Sequence, residues 1–264
     1  MTITATLRLL IVMVSWSACF PLITLGLALA PDLAFAAMRA AIAGGALLLI
    51  GLLLRRPIPR STECWLLIGV VGFGSTSLGF FGMFHTADYL SPGLATVIAN
   101  AQPLLAAVLA HIFLGERLPM PAKIGLAVGL GGIIAVAWSS IIASRTPDYA
   151  LGFAYIGAAA LGVAIGNIAI KRLAERSDAV MAMGFQLLLG AVPLVAISSV
   201  TERWAAISWT PRFGLVLLSL SLFGTSLAFW LWFSALKTVP LSRANAFTFL
   251  VPLFGLAIGV AAFH

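Results

Sequence analysis

The sequence predicts an all-α integral membrane protein made of two inverted-topology repeats of five transmembrane helices, ten expected, of which nine lie in this chain. Three observations predict it. Of 264 residues, 62% are hydrophobic and 9% charged, against about a quarter charged in an ordinary soluble domain. The apolar residues fall into runs of roughly 20, the length that crosses a hydrocarbon core about 30 Å thick. Finally, Thr76-Ser77-Leu78-Gly79-Phe80 with Phe84 returns 149 residues later as Thr225-Ser226-Leu227-Ala228-Phe229 with Phe233, a spacing that marks an internal repeat.

Taken in order, the first span covers 7 to 28. Arg8, the run from Leu9 to Leu29 and Ala34-Phe35-Ala36 together resemble a secretory leader with its cleavage site. A weaker match at a spacing of 146, pairing Gly44 with Gly190, aligns this span with the sixth, so it is expected to be retained. The second span, 33 to 54, contains Arg39. The third, 65 to 86, and the eighth, 211 to 236, hold the repeated motif and are rich in aromatic residues. In the fourth, 92 to 114, Asn100 and Gln102 precede Pro103, whose missing N–H frees a carbonyl and can kink the helix. The fifth, 122 to 142, carries Gly125, Gly129, Gly131 and Gly132, and the sixth, 151 to 170, carries Gly162 and Gly166. Such stripes permit close packing, either between the two halves or between two copies of the chain. The seventh span covers 179 to 200 and the ninth 244 to 263; Ala244 and Pro252 match Ala95 and Pro103, again 149 residues apart. His264 aligns with Gly115, so the repeat predicts a tenth helix after it. The repeats are read as residues 1–145 and 146–264.

The net charge of +7 does not call for a nucleic-acid partner, because the basic residues sit at the ends of apolar runs. With the N-terminus cytoplasmic, eleven of the fifteen lie in inside loops: Arg8, Arg55, Arg56, Arg60, Arg117, Lys123, Lys171, Arg172, Arg176, Lys237 and Arg243. That asymmetry fixes orientation by the positive-inside rule and predicts residence in a bacterial inner membrane. Five spans in the first half force the second to enter from the opposite side, a plan that places a transporter's substrate between the halves. Cys19 and Cys64 read as apolar fillers; no metal or cofactor is expected. The eight acids are isolated at loops, so neither a paired-carboxylate enzyme site nor a proton carrier is expected.

A charge in hydrocarbon costs roughly 2.5 to 3.5 kcal/mol on insertion scales, which makes an embedded ionisable residue a functional candidate. Arg39 is such a residue. It is read as a partner for a substrate carboxylate, as a gate residue pairing with a helix terminus or with Asp32 or Asp88, or as an anchor that fixes helix register. Thr76, Asn100, Gln102, Asn167, Gln186 and Thr225 supply uncharged polar groups in the same layer, to bind substrate or tie helices together. Trp16, Phe80, Phe84 and Trp230 are candidates for an aromatic-lined cavity, against the alternative of lipid-facing rings. His85 is read as an interfacial residue or a pH sensor.

The stretch from Pro103 through Leu114-Gly115-Glu116-Arg117-Leu118, with Met38-Arg39 and Trp16, resembles the EamA family of the drug/metabolite transporter superfamily along the whole chain. The resemblance implies ten helices in two repeats and a transporter of small metabolites, nearest to bacterial aromatic amino-acid exporters. It implies export of neutral or aromatic amino acids by facilitative alternating access. Other superfamily cargoes, namely drugs carried by proton coupling or organophosphates and nucleotide sugars, are the alternative. The expected partners are a small-molecule substrate and the lipid bilayer, with monomer and homodimer both open.

Overall fold

The computed structural model describes residues 2–86, 89–90, 98–99, 101–117, 120–143, 148–251 and 253–254, and among these there is no strand. The helices are α1 (Ile3–Leu27), α2 (Asp32–Leu53), α3 (Thr62–His85), α4 (Ala101–Leu114), α5 (Met120–Ala143), α6 (Asp148–Leu173), α7 (Ala179–Thr201), α8 (Pro211–Leu236) and α9 (Leu241–Ala246), the last running into a 3₁₀ turn, Phe247–Phe249. Of these, α1, α2, α3, α6, α7 and α8 are long and apolar enough to cross a membrane. The first three spans and the fifth to eighth match α1–α3 and α5–α8 to within a few residues, whereas the start of the fourth lies outside the described residues. Asn100 and the end of the ninth span lie outside the described residues.

Helix starts follow from local chemistry. Ser61 accepts from the Cys64 amide at the head of α3, and Asp178 from the Val180 and Met181 amides at the head of α7. At α8, Thr210 accepts from the Phe213 amide, with Pro211 in the first turn, where its missing N–H costs nothing. Basic side chains close two C-termini. Lys171 Nζ donates to Leu236 O at 2.6 Å and Val239 O at 3.1 Å, and Arg172 donates to Phe113 O at 2.9 Å.

Packing runs mainly between the halves. α2 lies along α7, α3 along α6 and α7, α1 along α8, and α4 against α6 and α9. Exchanging first and second halves turns the α1–α8 pair into α6–α3 and leaves α2–α7 and α4–α9 unchanged, as a pseudo-two-fold relation requires. Backbones touch where α3 meets α7: a Cβ on Gly190 would come within 2.5 Å of Gly72 O. A Cβ on Gly162 or Gly166 would meet α3 across the halves, whereas one on Gly125, Gly131 or Gly132 would meet no other described side chain or helix within 4 Å.

Both copies of the repeated motif take the same irregular form. Gly72–Leu78 in α3 and Leu222–Leu227 in α8 are π-helical. The wider turn loosens carbonyls five residues back, and hydroxyls of the motif collect them. Ser77 Oγ donates to Gly72 O at 3.3 Å, Ser226 Oγ to Ser221 O at 2.9 Å and Thr225 Oγ1 to Leu220 O at 2.9 Å. The same serines also accompany cross-half contacts: Ser77 Oγ lies 2.8 Å from Gly190 O and Ser226 Oγ 3.0 Å from Ala43 O.

Candidate functional site

Arg39 is two turns into α2, about 10 Å from Asp32 along the helix, and only 5% of it is exposed. Its side chain reaches the π segment of α8, where Nε donates to Thr225 Oγ1 at 2.8 Å. Nη2 lies 3.6 Å from Cys19 Sγ on α1, and the guanidinium sits 4.7 Å from the Phe80 ring centre on α3. Phe84 continues this wall, 6.4 Å from Phe80 and 6.0 Å from Phe35. Among the described residues Arg39 forms no salt bridge. The expected pairing with Asp32 is therefore absent, because Asp32 turns toward His85; Asp88 lies outside the described residues.

The other half holds a counterpart. Gln186 on α7 is fully buried, and its Oε1 accepts from Thr76 Oγ1 in the π segment of α3 at 2.9 Å. Among the described residues Gln186 Nε2 has no hydrogen-bond partner. Thr76 and Thr225 are repeat mates, and so are Arg39 and Gln186, 147 residues apart, since Ala43 O and Gly190 O receive equivalent serines. The spacing of 146 read from the sequence is thus one residue short in this helix pair.

Two further polar contacts complete the layer. Trp16 on α1 packs against Trp232 at 5.4 Å, and Trp232 Nε1 donates to Asn167 Oδ1 on α6 at 2.9 Å. Gln102 Nε2 on α4 reaches Asn245 Oδ1 on α9 at 3.5 Å, and Asn245 Nδ2 has no partner among the described residues. Of the sequence candidates, Arg39, Thr225, Phe80 and Phe84 come together, Thr76 joins Gln186, and Trp16 joins Asn167 through Trp232. Trp230, at 37% exposure, lies outside these groups. Cys19, read as filler, is a neighbour of Arg39; nothing in the local sequence pointed to it.

The acids are not all isolated. At the head of α2, Glu202 Oε1 accepts from Leu33 N at 2.9 Å and Oε2 from Ala34 N at 2.8 Å. Its carboxyl also meets that of Asp32, and His85 Nδ1 lies 3.1 Å from Asp32 Oδ2. Burial, reinforced by the Asp32 carboxyl, pushes the Glu202 pKa up to about 7 against the pull of the two amides. Glu116 makes a similar remote cap on α9, accepting from Leu241 N at 2.6 Å, Ser242 N at 3.0 Å and Ser242 Oγ at 2.6 Å. Gly115, at φ +66, takes the left-handed conformation that turns the chain after α4.

The profile of the EamA-like transporter family matches residues 3–138 and again 150–264. The uncharacterized transporter YvbV of Bacillus subtilis (strain 168) is 30% identical over 98% of this chain and 83% of its own length. Protein PecM of Dickeya dadantii (strain 3937) is 26% identical over 85% of this chain and 73% of its own. A WAT1-related chloroplastic protein of Arabidopsis thaliana is 26% identical over 77% of this chain and 50% of its own. A crystal structure sharing 22% identity superposes with a TM-score of 0.76, covering 100% of this chain and 90% of that one. With its helical architecture and these matches over nearly all its length, the chain is a membrane transporter and belongs to the EamA-like transporter family.

Proposed function

We propose that the protein exports small carboxylate-bearing metabolites, with neutral and aromatic amino acids as the favoured class, by facilitative alternating access between the repeats 1–145 and 146–264. The observation that carries this reading is Arg39, a buried cation whose described hydrogen-bond partners are both uncharged. A guanidinium in that setting gains most from an incoming anion, since an unpaired charge in hydrocarbon is costly. Among the described residues it is also the one buried cation, which suits a single carboxylate better than a doubly charged phosphate. The rings of Phe80 and Phe84, on the wall beside Arg39, are apolar neighbours suited to a side chain. We place the protein in a bacterial inner membrane with the N-terminus cytoplasmic, on the distribution of its basic loop residues.

The test is uptake of labelled phenylalanine, down its gradient, into liposomes containing the purified protein. Saturable flux, competed by other apolar amino acids and lost in Arg39→Ala, is the expected result. Folded protein giving no flux above empty liposomes would sink the amino-acid reading, and accumulation driven by a pH gradient alone would sink the facilitative one.

A further inference from the structure

The planar guanidinium presents Nε–H and one Nη–H along a single edge, the fork that binds a carboxylate through two parallel hydrogen bonds. In Arg39 the two positions of one fork are taken by neutral groups from different helices: Thr225 Oγ1 at Nε, 2.8 Å away, and Cys19 Sγ at Nη2, 3.6 Å away. A thiol is a weak acceptor, and 3.6 Å to sulfur is a loose contact. The Thr225 hydroxyl is not committed to Arg39, because its own hydrogen goes to Leu220 O at 2.9 Å. Either group can withdraw without orphaning a strong donor of its own: the thiol has acceptors at Ser15 O, 3.3 Å, and Gly224 O, 3.8 Å.

We propose that Thr225 and Cys19 are placeholders on a carboxylate fork, and that a substrate carboxylate displaces both from Arg39 and so removes the Arg39–Thr225 tie between α2 and the π segment of α8, leaving the Ser226–Ala43 contact as the remaining hydrogen bond there. The repeat-related tie cannot respond in this way. Gln186 is uncharged, and Thr76 gives it a hydrogen instead of receiving one. An anion therefore opens one of the two symmetry-related ties and leaves the other closed. The proposal rests on the reading that a carboxylate-bearing molecule is carried, but it does not depend on amino acids being the cargo.

Placeholders and ligands respond oppositely to removal, and this decides the experiment. Binding of labelled benzoate to the purified protein is measured beside benzamide, its neutral isostere, with intrinsic-fluorescence melting to confirm that each variant is folded. Benzoate is expected to bind and benzamide not to compete. Thr225→Val is expected to tighten benzoate binding by roughly ten-fold or more, the worth of one hydrogen bond to a charged group, and Cys19→Ala by less, because a thiol is the weaker acceptor. Arg39→Gln is expected to abolish binding. Weaker binding in Thr225→Val, or equal competition by benzamide, overturns the proposal. Benzoate binding with this pattern alongside absent phenylalanine flux would leave the fork standing and remove only the amino-acid cargo.

Discussion

Trp232 is 1% exposed, stacks beside Trp16 and donates to Asn167, whereas Trp230, two residues earlier, is 37% exposed. Removing a fully buried Trp side chain leaves a large cavity and costs about 3 to 5 kcal/mol. Trp232→Ala is accordingly expected to lower the melting temperature in detergent sharply, and Trp230→Ala to leave it nearly unchanged; equal effects would contradict the packing described. The sequence marked aromatic residues in this helix as cavity-lining or lipid-facing and did not separate Trp230 from Trp232. The reason is physical: the π turn Leu222–Leu227 lies just before them, and a wider turn shifts the face on which later residues fall. Arg39, by contrast, was legible at once, because a cation seven positions inside an apolar run stands out without any structure. Cys19 was not, since its importance lies only in which side chain it meets from another helix.

At the level of single helices, the head of α2 is built to respond to pH. Glu202 caps it from the far end of α7 beside the Asp32 carboxyl, with a pKa raised from an ordinary 4.5 to about 7. A carboxyl with a raised pKa binds a proton more tightly in the folded than in the unfolded chain, so its contribution is complete below about 4.5 and is lost as pH climbs through 7. Melting at pH 5.5 is expected to occur at a higher temperature than at pH 8.5, and Glu202→Gln is expected to shrink that difference. An unchanged difference in the variant would assign the pH dependence elsewhere. The acids concerned looked like separate loop residues in the sequence, 170 positions apart, and only the alignment of α2 beside α7 brings them together. The ends of the helices were better marked, because Ser61, Asp178 and Thr210 with Pro211 are local signals that need no tertiary context.

Across the whole molecule, the halves are interleaved instead of standing side by side, with α1 on α8, α3 on α6 and α2 on α7. Residues 1–145 expressed alone are therefore expected to aggregate or be degraded, while co-expression with 146–264 recovers a soluble complex in detergent. A stable, monodisperse first half would contradict the interleaved packing. The repeat itself was legible because Thr-Ser-Leu is kept in the third helix of each half, where the serine hydroxyl serves a π turn. The spacing for the second helices was missed by one residue because connecting loops differ in length and glycine matches glycine too easily.

The remote cap on α9 has a consequence in time. Glu116 must wait for Leu241, 125 residues later in the chain, and at 5–20 residues per second that is about 6 to 25 s of synthesis. During that interval α6, α7 and α8 are made one after another, so the surfaces of the first repeat gain their partners in stages and the cap on α9 is among the last contacts to form.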